Sequence, residues 1–220
     1  SNLERYNLQR RNQATMDQVE RLLTAESTKV LSLAEQFDQQ QMGGYLRTVV
    51  PGLVDKWGNV NATVAMKYYD EQRLLWAKRN PTEFSVYAGR RRLNRKSSSA
   101  KAERYAAAKL KSETFVASLP KFDAAAHAEP IIGYGMARFQ EAGYEGMRDA
   151  VTNSMTRAVG SYNRDTILYN AGLDHAVWKV QRVAEPSACS FCVMVAFSSP
   201  GWTVSDIRTA DYAIDFHNNC

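Results

Sequence analysis

NLERYNLQRRNQATMDQVERLLTAESTKVLSLAEQFDQQQ, residues 2–41, contains neither glycine nor proline. Within it Met16, Val19, Leu23, Val30, Leu33 and Phe37 recur at alternating steps of three and four, with Glu26 in the polar slot of the series. That spacing lines one side of a helix and makes a seam that packs lengthwise on another helix. Gly43 and Gly44 end the pattern. At 1.5 Å per residue such a helix reaches up to ~60 Å, more than the width of a compact domain. The expectation is a long N-terminal helix over residues 1–43 that projects from the body or self-associates with a second copy.

The remaining sequence is mostly of the same kind. Residues 44–172 read as a helical body. Leu46, Val49, Leu53, Val54 and Trp57 fall at helical spacing, with Pro51 either kinking the helix or starting its second half, and Gly58 closing it. Asn59 then caps a helix through Lys78, whose inward face is Val60, Val64, Tyr68, Leu75 and Trp76 and whose ion pairs include Asp70 with Arg73. An alanine-rich helix follows over residues 100–119 and is stopped by Pro120. Another begins near Asp123, is disturbed by Pro130 and runs to Ala142. Residues 145–171 form one more, with Met147, Val151, Met155, Ala158, Tyr162 and Tyr169 on a face and Gly172 as its C-cap. The period then changes: residues 176–183 and 202–204 read as strands, the second at an edge. The fold class is therefore mainly α, with a small C-terminal α+β unit over residues 173–220.

Composition bounds the function. With 220 residues, 45% hydrophobic and 23% charged, the chain buries a real core. No apolar run approaches the ~20 residues of a membrane helix, so no membrane partner is expected. Glu4, Arg5, Arg10 and Arg11 occupy the first residues without an apolar stretch, which leaves no visible secretory signal. A net charge of +5 and a pI near 9.1 favour acidic partners such as nucleic acid, though modestly. The basic residues gather at Arg90, Arg91, Arg92, Arg95 and Lys96, before Ser97, Ser98 and Ser99. A run of this kind is either a solvated linker or a contact for a phosphate backbone.

All three cysteines lie near the end of the sequence. Cys189 and Cys192 are two residues apart, and His217 and Cys220 repeat the gap. A tetrahedral zinc ion takes thiolate and imidazole ligands in pairs delivered by tight turns, and C-x2-C followed by H-x2-C supplies them. The same residues also fit a buried thiol pair beside a surface histidine. Redox chemistry at C-x2-C requires a βαβ setting that residues around Cys189 lack. His127, His175 and His217 are the only histidines, and none stands in a nucleophile motif.

Two stretches carry a family resemblance. GLVDKWGNVNATVAMKYYDEQR, residues 52–73, resembles a segment of minor capsid proteins from actinobacterial tailed phages that ends in Tyr-Asp-Glu-x-Arg. AVGSYNRDTILYNAG, residues 158–172, together with Trp178, Val183, CSFCVMVA and FHNNC, looks like the closing region of the same MuF-like, head-morphogenesis proteins. Residues 84–147 have no such counterpart. The resemblance implies a non-enzymatic structural protein of the virion. It would sit inside the capsid near the portal protein or the major capsid protein, act in head morphogenesis or in DNA packaging and ejection, and touch packaged DNA. It would occupy the host cytoplasm during assembly. The resembling proteins continue with another cysteine and a tail, so any fused enzymatic domain is expected beyond Cys220. The alternative class is a nucleic-acid-binding protein that uses Arg90 to Lys96 on phosphate, with zinc as a structural staple.

Overall fold

The structure, a computed structural model, describes residues 2–79, 115–174, 177, 179–180 and 202–203. Three long helices dominate them: α1 (Asn2–Ser32), α2 (Gln39–Arg79) and α3 (Ala124–Leu173). Two short strands, β1 (Lys179–Val180) and β2 (Trp202–Thr203), pair antiparallel with Lys179 opposite Thr203 and Val180 opposite Trp202. The protein is mainly α, as its periodicity predicts. No helix among the described residues is long and apolar enough to cross a membrane. The chain divides into two compact units, one made of Ser1–Glu71 and Ser118–Ile167, the other of Gln72–Ala117 and Leu168–Cys220.

The first helix is shorter than its glycine-free sequence suggests. It stops at Ser32, and three-residue turns follow, with Leu33 N donating to Val30 O and Phe37 N to Ala34 O. The cause lies at Asp38. Its carboxylate accepts from Gln41 N at 2.9 Å while Gln41 Oε1 accepts from Asp38 N at 3.1 Å. This reciprocal box satisfies two orphan donors and starts α2 at Gln39. Gly43 and Gly44 consequently lie inside α2, and neither Pro51 nor Gly58 interrupts it.

The buried line of α1 also differs from the expected seam. Leu8, Val19, Leu23, Ser27, Leu31 and Ala34 are buried, whereas Leu33 is 72% exposed. A strict 3.5-residue repeat holds only where helices supercoil; a straight helix turns every 3.6 residues, and the line drifts one position later within a few turns. In α2 the line starts at Met42 and runs through Leu46, Val50, Val54, Gly58, Asn61, Ala65 and Tyr69. Val60, expected inside, is exposed because the helix keeps the phase set at its beginning instead of restarting at Asn59.

Asp123 caps α3, accepting from Ala126 N at 3.0 Å. The nine residues before the helix have no regular secondary structure. The expected alanine-rich helix therefore does not extend over residues 115–119, where Leu119 precedes a proline and is biased away from the α region. Inside α3, Gly143 alone departs from helical geometry, at φ 66° and ψ −158°. It divides a leading arm, residues 124–142, from a trailing arm, residues 144–173.

The two arms fold back on each other. His127 and Tyr162 would be ~50 Å apart on one straight helix, yet their ring centroids are 5.2 Å apart. Phe122 stacks on Tyr162 at 3.9 Å, and a Cβ at Gly135 would press into the Val151 methyl. The first unit thus packs α1, α2 and both arms of α3 around one core, which includes Leu23, Leu46, Val54, Ile132, Met147, Met155 and Tyr162. The expected inner face of the trailing arm holds from Met147 to Tyr162. Tyr169 departs from it, with Thr166 and Asn170 buried and Tyr169 exposed.

Candidate functional site

The residues singled out for chemistry in the sequence, Cys189, Cys192, His217 and Cys220 for zinc and Arg90, Arg91, Arg92, Arg95 and Lys96 for nucleic acid, lie outside the described residues. The β1–β2 ladder bears on the first pair in one respect. It sets Val180 opposite Trp202, so Cys189 and Cys192 belong to the connection between two paired strands.

Within the described residues, the stretches that carry the resemblance meet in space. In the first unit, α2 crosses the trailing arm at Gly58 and Asn61. The Tyr162 ring fills the space where a side chain at position 58 would begin, so only glycine fits there. Beside it Asn61 Nδ2 donates to Val159 O at 2.9 Å, and Asn163 Nδ2 donates to both Asn61 O and Asn61 Oδ1 at 3.3 Å. All of these polar atoms belong to buried residues. The Tyr162 hydroxyl is buried without a hydrogen-bond partner among the described residues. Burial, with smaller contributions from Asp55 and Asp123, pushes its pKa up to about 12.

A different contact joins α2 to α3 in the second unit. Arg73 Nε donates to Asp174 Oδ2 at 2.7 Å, with side chains 10% and 0% exposed. The Arg73 guanidinium also lies 5.3 Å from the Phe115 ring centroid. Asp174 is the residue immediately after α3; its N–H still bonds Asn170 O at 2.8 Å, and its carbonyl accepts from Val177 N. The pair therefore fixes the point at which the chain leaves α3 for β1. Sequence spacing pairs Arg73 with Asp70 along one helix face, and Asp174 is a further partner that such local spacing does not reach. The signal for Asp174 was its place directly after the 158–172 stretch, just as Arg73 ends the other.

Chemically this arrangement orients and holds. An arginine on a buried carboxylate presents matched charges, and a paired amide ladder fixes helix register. Neither a curated protein nor a solved structure matches the chain. The family model described as VG15 protein matches residues 3–220, nearly the whole length, and the chain belongs to the VG15 protein family.

Proposed function

We propose that this chain is a structural minor capsid protein of a tailed bacteriophage, held inside the head by contacts with the portal or major capsid protein and acting in head morphogenesis or DNA passage. The observation that carries this reading is the meeting of its two resembling stretches. Residues 52–73 and 158–172 resemble segments of MuF-like head proteins, and both lie in the contacts between α2 and α3, through Gly58, Asn61, Tyr162 and Asn163. The resemblance thus falls on residues that fold together. A family match over residues 3–220 supports treating them as parts of one design. The role is assembly and not catalysis, with the basic cluster at Arg90 to Lys96 available to phosphate.

The C-terminal segment completes the reading as a small α+β unit closed by zinc. Cys189, Cys192, His217 and Cys220 would be the ligands, the first pair lying in sequence between the paired strands β1 and β2. Such an ion would supply a closed structural centre for a unit with few core residues of its own. Zinc analysis of freshly reduced protein should find one ion per chain, released by chelator or acid because thiolates bind only when deprotonated. Metal-free protein with unchanged stability would remove the zinc centre.

Mass spectrometry and asymmetric reconstruction of purified particles test the location. The expected result is density for the α1–α2–α3 core on the inner side of the capsid or portal. Absence from particles, or a place on the outer capsid surface, would overturn the assignment.

A further inference from the structure

We infer that Gly143 is an arm-exchange hinge, through which α3 can straighten and two copies of this chain can trade leading arms. Gly143 is the one residue inside the 50-residue span of α3 with non-helical φ/ψ. Its φ of 66° and ψ of −158° lie in a region open essentially to glycine alone. Beyond its own stretch of chain, nothing stands within 4 Å of where its Cβ would be, so the backbone conformation and not crowding is what selects glycine there. Rotating this single residue to helical values makes the whole span one helix, about 75 Å long. The helix then regains the backbone hydrogen bonds that its break leaves unmade.

A lone chain does not favour that form. Straightening pulls Ala128, Ile131 and Ile132 out of the core and separates Phe122 and His127 from Tyr162. A second copy removes this cost, because its leading arm carries the same residues and refills the same groove contact for contact. What remains between the folded-back monomer and the exchanged dimer is the backbone difference at Gly143 set against the entropy of association. Domain exchange is a low-cost route to dimers, short hinges under strain invite it, and the hinge between the two arms is one residue. The partner is therefore another copy of this chain, and the exchanged surface is the leading arm. The self-association expected of α1 is a different contact.

The test compares the intact chain with Gly143→Ala and with a variant carrying two extra glycines after Gly143. Alanine is disfavoured at the turn and favoured in the straight helix, so the Gly143→Ala monomer–dimer equilibrium should shift toward dimer by about tenfold or more. The glycine insertion relaxes the turn and should stay monomeric in light scattering. Small-angle scattering of the dimer should show an elongated particle, and copies of different mass should form mixed dimers only after unfolding and refolding together. A Gly143→Ala chain that stays monomeric at all concentrations overturns the inference. So does a dimer that the glycine insertion forms equally well, since that dimer uses another surface. If Gly143→Ala does not fold, the unaltered chain decides: refolding at rising concentration should trap a growing dimer fraction, and a constant monomer refutes arm exchange.

Discussion

α2 and α3 are joined in both units, and the chemistry of the two contacts is opposite. In the first unit the contact is made by missing volume: Gly58 has no side chain, the Tyr162 ring takes its place, and the neighbouring amides of Asn61 and Asn163 settle the register. In the second unit it is made by charge, through Arg73 and the fully buried carboxylate of Asp174. Close packing tolerates loss of a contact by local repacking. A buried ion pair does not, because removing one partner leaves the other charged in a low-dielectric setting. The two contacts should therefore fail differently.

The ion pair should give the largest effect. Replacing Asp174 with Ala takes a fully buried carboxylate away from the Arg73 guanidinium and should cost about 3–5 kcal/mol, whereas Arg73→Met combined with Asp174→Leu should cost far less. Hydrogen exchange would locate the damage. Protection should be lost over residues 72–79 and 168–174 while the core of the first unit keeps its own. Equal loss at Leu23 and Val54 would show that the units unfold as one.

Gly58→Ala comes next. Alanine is the better helix former, yet here its methyl meets the Tyr162 ring, and overpacking should destabilise by about 2–3 kcal/mol. Gly52 offers the control on the same helix. It is exposed with nothing around its Cβ position, so Gly52→Ala should stabilise by up to about 1 kcal/mol in urea unfolding. Two substitutions of the same kind would then differ in sign. The amide ladder is weaker than either: Asn61→Leu removes the bond to the Val159 carbonyl and leaves the Asn163 amide only the backbone carbonyl of residue 61, for about 1 kcal/mol.

How much of this the sequence disclosed depended on the range of the interaction. Local signals worked. The helix expected to begin near Asp123 does begin beside it, the break after Ala142 was placed within a residue of Gly143, and the inner face from Met147 to Tyr162 was correct. Asp38 with Gln41 was an equally local signal, a capping box inside a glycine-free run, and it outranked the two glycines beyond it. Glycine was misread at position 58 because the reason for it lies over a hundred residues away in Tyr162, not in the helix that contains it. Arg73 and Asp174 escaped pairing for the same reason. In α1 the seam was read with a supercoil's period, and only the packing shows that a 3.6-residue line puts Ser27, Leu31 and Ala34 inside. Of the candidate sites, the cysteine and arginine clusters were legible as residue types at suggestive spacings, and both lie outside the described residues.

Glu26 marks the small end of the scale and gives the comparison a third, exposed member. It occupies the polar slot of the α1 series and binds α2 from there: Lys56 Nζ donates to its two oxygens at 2.7 and 2.8 Å, and Trp57 Nε1 donates at 2.7 Å. The Lys56 hydrogen bond lowers the Glu26 pKa, partial burial opposes it, and the Trp57 hydrogen bond adds to the lowering. A carboxylate whose folded pKa is depressed stabilises the fold above its unfolded pKa and loses that contribution as pH falls through the folded value. The window thus begins near the ordinary glutamate value of about 4.3 and extends downward. Because the lysine is largely in solvent, the contribution should stay below about 1 kcal/mol and shrink with added salt. Glu26→Gln should flatten the acid limb of the stability–pH curve in that window and lower neutral-pH stability by no more than that contribution. A loss at pH 7 as large as that of Asp174→Ala would mean that burial does not separate these two ion pairs, and the contrast between exposed and buried charge in this chain would have to be abandoned.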